Sequence, residues 1–349
     1  MRGRRMPRTV GARLMFLVDN GGNQDPALNL ALEEYLVRHT PNGADTLLFY
    51  VNQRSVVIGR NQVPYVEMGL QAVQRRQAAV VRRISGGGTV YHDTGNLNFC
   101  WIQGRRDDPF PSPAEAVQAV LESLRDLGLP ARLNKRNDIL LEDRKITGIA
   151  QYRTRDKCLT HGTLLVAADL EAMEDLLRPD CDVPASRGRR SVRSKVTNLT
   201  RYLPALTIGA LQERLVQGFA AFHGNPVPLT IDTSGWAQIA ATASAKYRSW
   251  DWNVGRAPGF SMRRSTAFAW GSCEALIDIR RGIVTRLAFA LPKGAPGAIE
   301  QLASCLEGER YHPRTVATRI HEAGPGHRRV GAGWRRLAEW ICPSWYWWG

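Results

Sequence analysis

The chain has 349 residues, 44% of them hydrophobic, and a formal net charge of +15 at pH 7. This length exceeds that of a typical single domain, so we expect one large and one small domain. No apolar run approaches the roughly 18 residues that a transmembrane helix needs, so we do not expect a membrane protein.

The positive charge predicts an acidic partner or ligand. Nucleic acid is the simplest candidate, but the sequence has no zinc finger or RNA-binding signature, and its arginines are spread over the whole chain. We therefore expect an acidic protein domain or a nucleotide, and no nucleic-acid partner.

The terminal segment and the cysteines bear on localisation. Residues 1–13 carry five arginines and no acidic residue, a composition typical of a mitochondrial presequence. We favour a non-native or poorly ordered extension before the first strand. The six cysteines follow no metal-binding or disulfide spacing, which favours reduced thiols in the cytoplasm; a functional presequence would instead indicate mitochondria.

Periodicity and turn residues predict an α+β fold, with a mixed, largely antiparallel sheet flanked by helices. The predicted elements are strand 16–19, a helix within 23–39 that opens at Asp25-Pro26, strands 47–51 and 56–59 joined by a polar turn, strand 96–102, helix 113–129, a hairpin of 139–141 and 146–150, strand 164–166, helix 171–177, a basic loop over 180–198 and helix 206–223. Strands 266–270, 273–279 and 283–290, followed by two helices, indicate a small C-terminal α/β domain. We expect the tryptophan-rich terminus to pack against it.

The most informative motif spans residues 82–93, where Arg82 and Arg83 precede three glycines, between two β-branched pairs. Glycines let the backbone approach a ligand and turn its N–H groups toward an anion, and the arginines add positive charge. The motif therefore predicts a site for a carboxylate or a phosphate. The alternative is a tight hairpin with solvated arginines, and Arg82 has a structural interpretation.

Four further segments each set a polar group beside a small residue and an apolar strand, a pattern typical of a cleft. They are Asn137-Asp138-Ile139-Leu140-Leu141, Arg144-Lys145-Ile146-Thr147-Gly148-Ile149-Ala150, Thr160-His161-Gly162-Thr163-Leu164-Leu165 and the basic stretch from Arg190 to Leu199. In this order and at these spacings, and together with Trp250-Asp251-Trp252-Asn253, the segments resemble the lipoate-protein ligases over about residues 14 to 310.

The resemblance implies a catalytic domain of the biotin/lipoate ligase fold over residues 14–254 and an accessory domain over 255–349. Its reaction has two steps: lipoate attacks the α-phosphate of ATP to form lipoyl-adenylate, and a lysine of an acceptor then attacks the mixed anhydride. The implied cofactors are ATP and lipoate as substrates, with Mg²⁺. The implied partners are apo lipoyl domains of 2-oxoacid dehydrogenase E2 subunits and the glycine cleavage H protein, whose acidic surfaces would match the positive charge.

The resemblance also assigns site residues. Lys145 is the expected catalytic residue, because its ammonium would stabilise the charge shared by carboxylate and α-phosphate. The expected lipoate-binding residues are Arg83, Ser85, Gly87, Val90, His92, Gly148, Ala150 and His161. The expected ATP-binding residues are Arg83, Gly87, Gly88, Asn137, Asp138, Lys145, Ala150 and Thr163, with Asp138 also the metal ligand. The expected adenylate-covering loop contains Arg190, Ser191, Val192, Arg193 and Ser194.

Several alternatives stay open at this point. His92 could be structural, and Asn137 with Asp138 could be a cap. Cys181 stands near the position of an acyl-accepting cysteine in related octanoyltransferases, so a lipoyl- or octanoyltransferase that acts without ATP is an alternative function. A biotin ligase shares the fold, but its Gly-Arg-Gly-Arg type phosphate loop is absent from this sequence, which has SGGG instead. A non-catalytic lipoate-binding protein is the remaining alternative.

Overall fold

The computed structural model of the protein describes residues 14–105, 110, 112–293, 295, 298–323 and 332–343. Its strands are Met15–Val18 (β1), Asp45–Val51 (β2), Ser55–Ile58 (β3), Ala79–Arg82 (β4), Val90–His92 (β5), Asn96–Gly104 (β6), Ala131–Leu133 (β7), Ile139–Leu141 (β8), Arg144–Lys145 (β9), Ile149–Arg153 (β10), Lys157–Leu165 (β11), Asp182–Ser186 (β12), Val227–Leu229 (β13), Phe260–Phe268 (β14), Gly271–Arg280 (β15) and Ile283–Ala290 (β16). Its helices are Pro26–His39 (α1), Leu70–Arg76 (α2), Pro113–Ala116 (α3), Gln118–Asp126 (α4), Leu170–Leu176 (α5), Ile208–His223 (α6), Thr233–Thr242 (α7), Ala298–Leu306 (α8), Pro313–Ala323 (α9) and Ala332–Ile341 (α10). The predicted α+β class is confirmed.

The central sheet has six strands in the order β10-β11-β6-β2-β1-β13. The pairs from β10 to β2 are antiparallel, whereas β1 pairs in parallel with β2 and β13. Successive side chains of a strand point to opposite faces. Leu47 and Phe99 thus pack in the core with α4 and α6, while Leu48 and Cys100 pack in the core with α1 and α7. The sheet therefore lies between two helical layers.

Helix α1 begins at Pro26, where the sequence predicts its opening, and Asp25 caps it by accepting a hydrogen bond from the Ala27 N–H. Proline is well suited to this first turn, since it has no N–H to leave unpaired. The inner face of α1 buries two carboxylates, Glu33 and Glu34. Glu33 contacts Tyr50 and His161 of the sheet, whereas Glu34 accepts hydrogen bonds from Lys246 and Tyr247.

Two three-stranded sheets stand beside the central one, in the orders β4-β3-β5 and β7-β8-β9. The predicted turn between strands 47–51 and 56–59 therefore joins two different sheets, because β3 pairs with β4 and β5. The predicted helix 113–129 is two helices, and the predicted strand 146–150 begins only at Ile149. The predicted strand 164–166 is the end of the nine-residue β11, whose polar residues concealed its length.

The C-terminal part is a four-stranded antiparallel sheet in the order β12-β14-β15-β16, whose core includes residues of α8, α9 and α10. Strand β12 lies within residues 180–198, where the sequence predicted only a loop, and it pairs with β14. Strand β14 begins at Phe260, earlier than the predicted residue 266. One strand from before residue 254 thus completes the C-terminal sheet, and the predicted boundary at 254/255 stays a prediction.

Trp340 is buried in this C-terminal core. The predicted N-terminal extension, residues 1–13, and the terminal aromatic residues Trp345, Tyr346, Trp347 and Trp348 lie outside the described residues. Among the residues that are described, no helix combines the length and the apolar character needed to cross a bilayer.

Candidate active site

The glycine-rich loop, residues 83–89, connects β4 to β5, and both strands flank β3. Gly87 has a φ of 91°, a conformation that side chains disfavour, and a Cβ there would approach Arg83 Nη2 to 3.0 Å. The Arg60 N–H donates to the Ser85 carbonyl at 2.9 Å, which fixes the start of the loop. The loop is thus a defined turn between strands, as the sequence predicts.

Arg82 holds the protein together beneath this loop, as its structural interpretation requires. The side chain is fully buried. Its guanidinium donates to the backbone carbonyls of Gly59, Arg60, Gln62, Trp252 and Asn253 at 2.7–3.2 Å. Arg82 therefore joins the turn after β3 to the Trp-Asp-Trp-Asn segment, almost 200 residues away in the chain.

Arg83 lies 5% exposed, and its donors also contact protein atoms. Its Nε donates to Ser85 Oγ, its Nη1 to the Val57 carbonyl, and its Nη2 to the carbonyls of Gly86 and Gly88. Burial lowers the pKa of Arg83 to about 10, so the group stays charged at neutral pH. The Arg83 guanidinium, which the sequence assigned to a carboxylate or a phosphate, thus donates its hydrogen bonds to the glycine-rich loop and Val57. Arg83 puts positive charge directly behind the glycines.

A buried hydrogen-bonded chain joins Ser85, His161 and Glu33. Ser85 Oγ lies 2.7 Å from His161 Nε2, and His161 Nδ1 lies 2.8 Å from Glu33 Oε2. Tyr50 donates its hydroxyl hydrogen to Glu33 Oε1 at 3.0 Å, and burial raises the pKa of Tyr50 well above its ordinary value. Because Ser85 is fully buried, this chain fixes the His161 ring rather than presenting a nucleophile.

Among the described residues, His92 has one ring nitrogen with a protein partner and one without. Asn52 Nδ2 donates to His92 Nδ1 at 2.9 Å, and the side-chain oxygen Oδ1 of Asn52 in turn accepts from Asn29 Nδ2. Burial, with Arg83 and His161 nearby, lowers the pKa of His92 to about 3. The ring is therefore neutral with its hydrogen on Nε2, and this buried Nε2 has no protein partner in the described part of the chain.

Lys145 ends the hairpin of β8 and β9, with its ammonium 2.8 Å from Asp138 Oδ1. Its N–H donates to the Lys195 carbonyl at 2.8 Å, and its carbonyl accepts from the Thr197 N–H at 3.1 Å. Lys145 therefore connects Asp138, an expected ATP-binding residue, to the chain around Lys195 and Thr197.

Asn137 has a turn role in this structure. Its φ is 63°, and its N–H donates to the Asn134 carbonyl at 3.1 Å. Asparagine tolerates this left-handed conformation better than most residues do. Asn137 thereby turns the chain so that Asp138 can face Lys145.

Residues 189–196 are the part of the predicted basic loop that follows β12, and they are termed the basic loop from here on. This loop lies against the glycine-rich loop through Ser191. The Ser191 N–H donates to Glu67 Oε1 at 3.2 Å, and its hydroxyl donates to Oε2. Ser191 Oγ accepts from the Thr89 N–H at 2.8 Å and from Gln62 Nε2 at 3.1 Å. One serine therefore joins the basic loop to two separate segments of the catalytic region.

These elements enclose a cavity of about 270 Å³, termed the first cavity below. The predicted site residues that line it are Arg83, Gly87, Gly88, Val90, His92, Asp138, Lys145, Gly148, Ala150, His161, Thr163, Arg190, Ser191, Val192 and Ser194. Ser85 lies behind the wall, Asn137 is in the turn, and Arg193 lines a neighbouring cavity. The structure thus gathers residues from segments more than 100 positions apart.

Further lining residues are not among the predicted site residues, although Thr89, Ile149 and Gly162 belong to the predicted motifs. They are Leu30, Tyr50, Val57, Thr89, Asn98, Arg136, Ile149, Gly162 and Arg189. Leu30 and Val57 have the spacing of ordinary core residues, so no local signal distinguishes them. Arg136 and Arg189 adjoin predicted motifs, and their positive charge beside a candidate phosphate site could have identified them.

Cys181 lies in a setting unlike that of a nucleophile. It packs against the core of the C-terminal part and does not line either of the cavities that Lys145 lines. Burial raises the pKa of its thiol to about 12, whereas acyl-accepting cysteines need a thiolate. The alternative of transfer through Cys181 gains no support from this environment.

Comparisons with known proteins agree with the geometry. The family model described as "Lipoyl protein ligase A/B catalytic domain" matches residues 25–220, and that described as "Bacterial lipoate protein ligase C-terminus" matches residues 257–327. The chain is similar to the lipoate-protein ligase LplJ of Bacillus subtilis (strain 168), with 33% identity over 87% of this chain and 92% of the relative.

Two solved structures extend the likeness to the fold. A bi-partite lipoate protein ligase from Thermoplasma acidophilum, studied with its E2 lipoyl domain, is 31% identical, with a TM-score of 0.59 over 69% of this chain and 95% of that one. A lipoate-protein ligase A bound with ATP is 30% identical, with a TM-score of 0.60 over 70% of this chain and 98% of that one. The chain therefore belongs to the lipoate-protein ligase family.

Proposed function

We propose that the protein is an ATP-dependent ligase that forms lipoyl-adenylate and transfers the lipoyl group to a lysine of a lipoyl domain. The observation that carries the proposal is the position of Lys145. Its ammonium lies in the wall of the first cavity beside the glycine-rich loop, with Asp138 at 2.8 Å. A cation at this place would neutralise charge as a carboxylate oxygen attacks the α-phosphate, and would later polarise the acyl carbonyl.

The lining of the first cavity suits lipoate at one end. Leu30, Val57, Val90 and Ile149 provide an apolar wall, and the same lining contains a few polar residues, namely Tyr50, His92, Asn98 and His161. Such a combination, an apolar cleft with few fixed polar groups, binds a chain-like acid in one orientation. The carboxylate of the acid would then lie toward Lys145 and the glycines.

The other end suits ATP. Arg136, Arg189 and Arg190 line the cavity there together with Gly87 and Gly88. Oriented N–H groups and guanidinium groups are typical partners of phosphate oxygens. The ATP-bound relative supports this assignment.

Asp138 fits a magnesium ion held jointly with substrate. Mg²⁺ is usually bound by one or two carboxylates plus phosphate oxygens and water, so one carboxylate beside the phosphates suffices. Among the described residues, no cluster of three or more carboxylate, histidine or cysteine side chains forms an independent metal site. The ion would reduce the negative charge of the phosphates, and Asp138 would hold it while Lys145 turns to the reacting centre.

The acceptor proposal rests on the family and on charge. The archaeal relative was studied with its E2 lipoyl domain, and we extend the proposal to the glycine cleavage H protein. A chain of charge +15 would attract acidic acceptor domains through steered association. We propose the cytoplasm as the compartment, where the six free thiols would stay reduced.

The testing experiment incubates the protein with ATP, Mg²⁺, lipoate and an apo lipoyl domain, and measures the acceptor mass. A parallel reaction omits ATP and supplies octanoyl carrier protein. Modification that requires ATP is the expected result. Modification confined to the reaction without ATP would replace the ligase proposal with acyl transfer.

A further inference from the structure

A second cavity of about 660 Å³ adjoins the first one along the basic loop. It shares Lys145, Gly148, Thr89 and Thr163 with the first cavity, so the two cavities meet at Lys145. A molecule in the second cavity would therefore reach the proposed acyl-adenylate beside Lys145.

The walls of the second cavity have the chemistry of a channel for a long alkyl chain. Val66, Leu170, Met173 and Leu177 supply apolar surface along it. Exposed Arg193 and Lys195 lie at its rim. An apolar channel with a basic rim suits an extended side chain carried on an acidic protein surface.

Two carboxylates line this channel, and the exposed one, Glu174, pairs with Arg178 at 2.7 Å. The other, Glu67, is buried. Glu67 lines the cavity and is only 4% exposed. Its carboxylate oxygens accept from the Ser191 N–H and hydroxyl, which are uncharged donors. Within the described ranges, no lysine or arginine forms an ion pair with the Glu67 carboxylate. An incoming ammonium group would therefore be its first cationic partner.

The electrostatics of Glu67 suit a proton acceptor. Burial raises the pKa of this carboxyl, while hydrogen bonds from Ser191, Thr89 and Gln62 oppose the rise. A general base works best when its pKa lies near the operating pH. The second cavity thus contains a carboxylate, Glu67, that could accept a proton and that the proposed adenylation step does not use.

We propose that the second cavity is the entry channel for the acceptor lysine and that Glu67 takes the proton from its ammonium. This rests on the ligase function proposed above. The ammonium gives one proton to a Glu67 oxygen, and the freed lone pair forms the C–N bond with the acyl carbon. The C–O bond to the phosphate then breaks, and AMP leaves with that electron pair. The second nitrogen proton passes to water, and Glu67 releases its own proton to solvent.

The test separates the two half-reactions in the full-length protein. Wild type, Glu67→Gln and Glu171→Gln are compared for pyrophosphate release with ATP, Mg²⁺ and lipoate alone. The enzyme-bound adenylate is then mixed with an apo lipoyl domain, and the acceptor mass is followed over time. Glu171 is the matched control, because it is an exposed carboxylate on α5 that does not line the channel.

Glu67→Gln should slow transfer about 100-fold more than it slows pyrophosphate release, because a general base usually contributes about 100-fold to its own step, whereas the contact of Glu67 with Ser191 serves both steps. Glu171→Gln should change neither step. Transfer at the wild-type rate in Glu67→Gln would overturn the inference, and so would an equal slowing of both steps, which would mean that Glu67 only holds the loop. Absence of ATP-dependent pyrophosphate release in the wild type would overturn the proposed function and this inference with it.

Discussion

Replacing Arg82 by methionine should destabilise the fold strongly, because no other side chain can satisfy the same acceptors. Methionine fills a similar volume but donates nothing, so the carbonyls of residues 59, 60, 62, 252 and 253 lose a charged donor. Each buried carbonyl left unpaired costs about 1 kcal/mol, and relaxation and the lower desolvation cost of methionine recover part of the sum. We expect a loss of about 3–5 kcal/mol in the free energy of unfolding.

The assay is urea unfolding followed by tryptophan fluorescence, with Arg60→Met as the matched control. Arg60 is exposed, and its side chain forms no hydrogen bond or ion pair with the described residues, so its loss should change stability by about 0.5 kcal/mol or less. The Arg82 variant should reach its unfolding midpoint at a lower urea concentration, while the dependence of the unfolding free energy on urea concentration should stay similar. Equal midpoints for the two variants would refute the claim that Arg82 joins the two segments.

Three further predictions concern a histidine, a glycine and a cysteine. The folded pKa of His92, about 3, lies below its unfolded value, so its contribution to stability is complete above about pH 6.5 and falls as the pH drops toward 3. His92→Gln should therefore reduce the loss of unfolding free energy between pH 6.5 and 5, and an unchanged pH dependence would contradict the burial argument. A Cβ at Gly162 would come within 2.7 Å of the Phe99 ring, so Gly162→Ala should cost about 1–3 kcal/mol in thermal unfolding, whereas Gly209→Ala, on an open helix face, should cost nothing. Cys181→Ser should lipoylate an acceptor at the wild-type rate, and a large loss in that mass assay would return the thiol to consideration.

The sequence predicted the residues that line the site better than the residues that hold those side chains in place. Lys145, Asp138, His161 and the glycines stand in the motifs that resemble those of the family, and they line one cavity. Glu33, which fixes His161, has no such signal, since a glutamate on a helix usually faces water. Its role depends on where α1 meets the sheet, which only tertiary packing decides.

The fold shows the same division between local and long-range information. Helix α1 is local, and its capping aspartate and following proline are visible in the sequence. Strand β12 is not, because its alternation is weak and its partner β14 lies about 80 residues later. The direction of the Arg83 guanidinium is likewise set by the path of the glycine-rich loop, which local sequence does not encode.

The most direct test of the account is the rate of ATP-dependent lipoyl transfer in Lys145→Ala, measured by acceptor mass beside Lys293→Ala. Lys293 is an exposed lysine after β16, so it controls for loss of one positive charge. Removal of an electrostatic donor from a reacting centre costs about 100- to 1,000-fold in rate, and Lys145→Ala should fall by that factor while Lys293→Ala keeps the wild-type rate. Equal rates in the two variants would contradict the assignment of Lys145 as the catalytic residue.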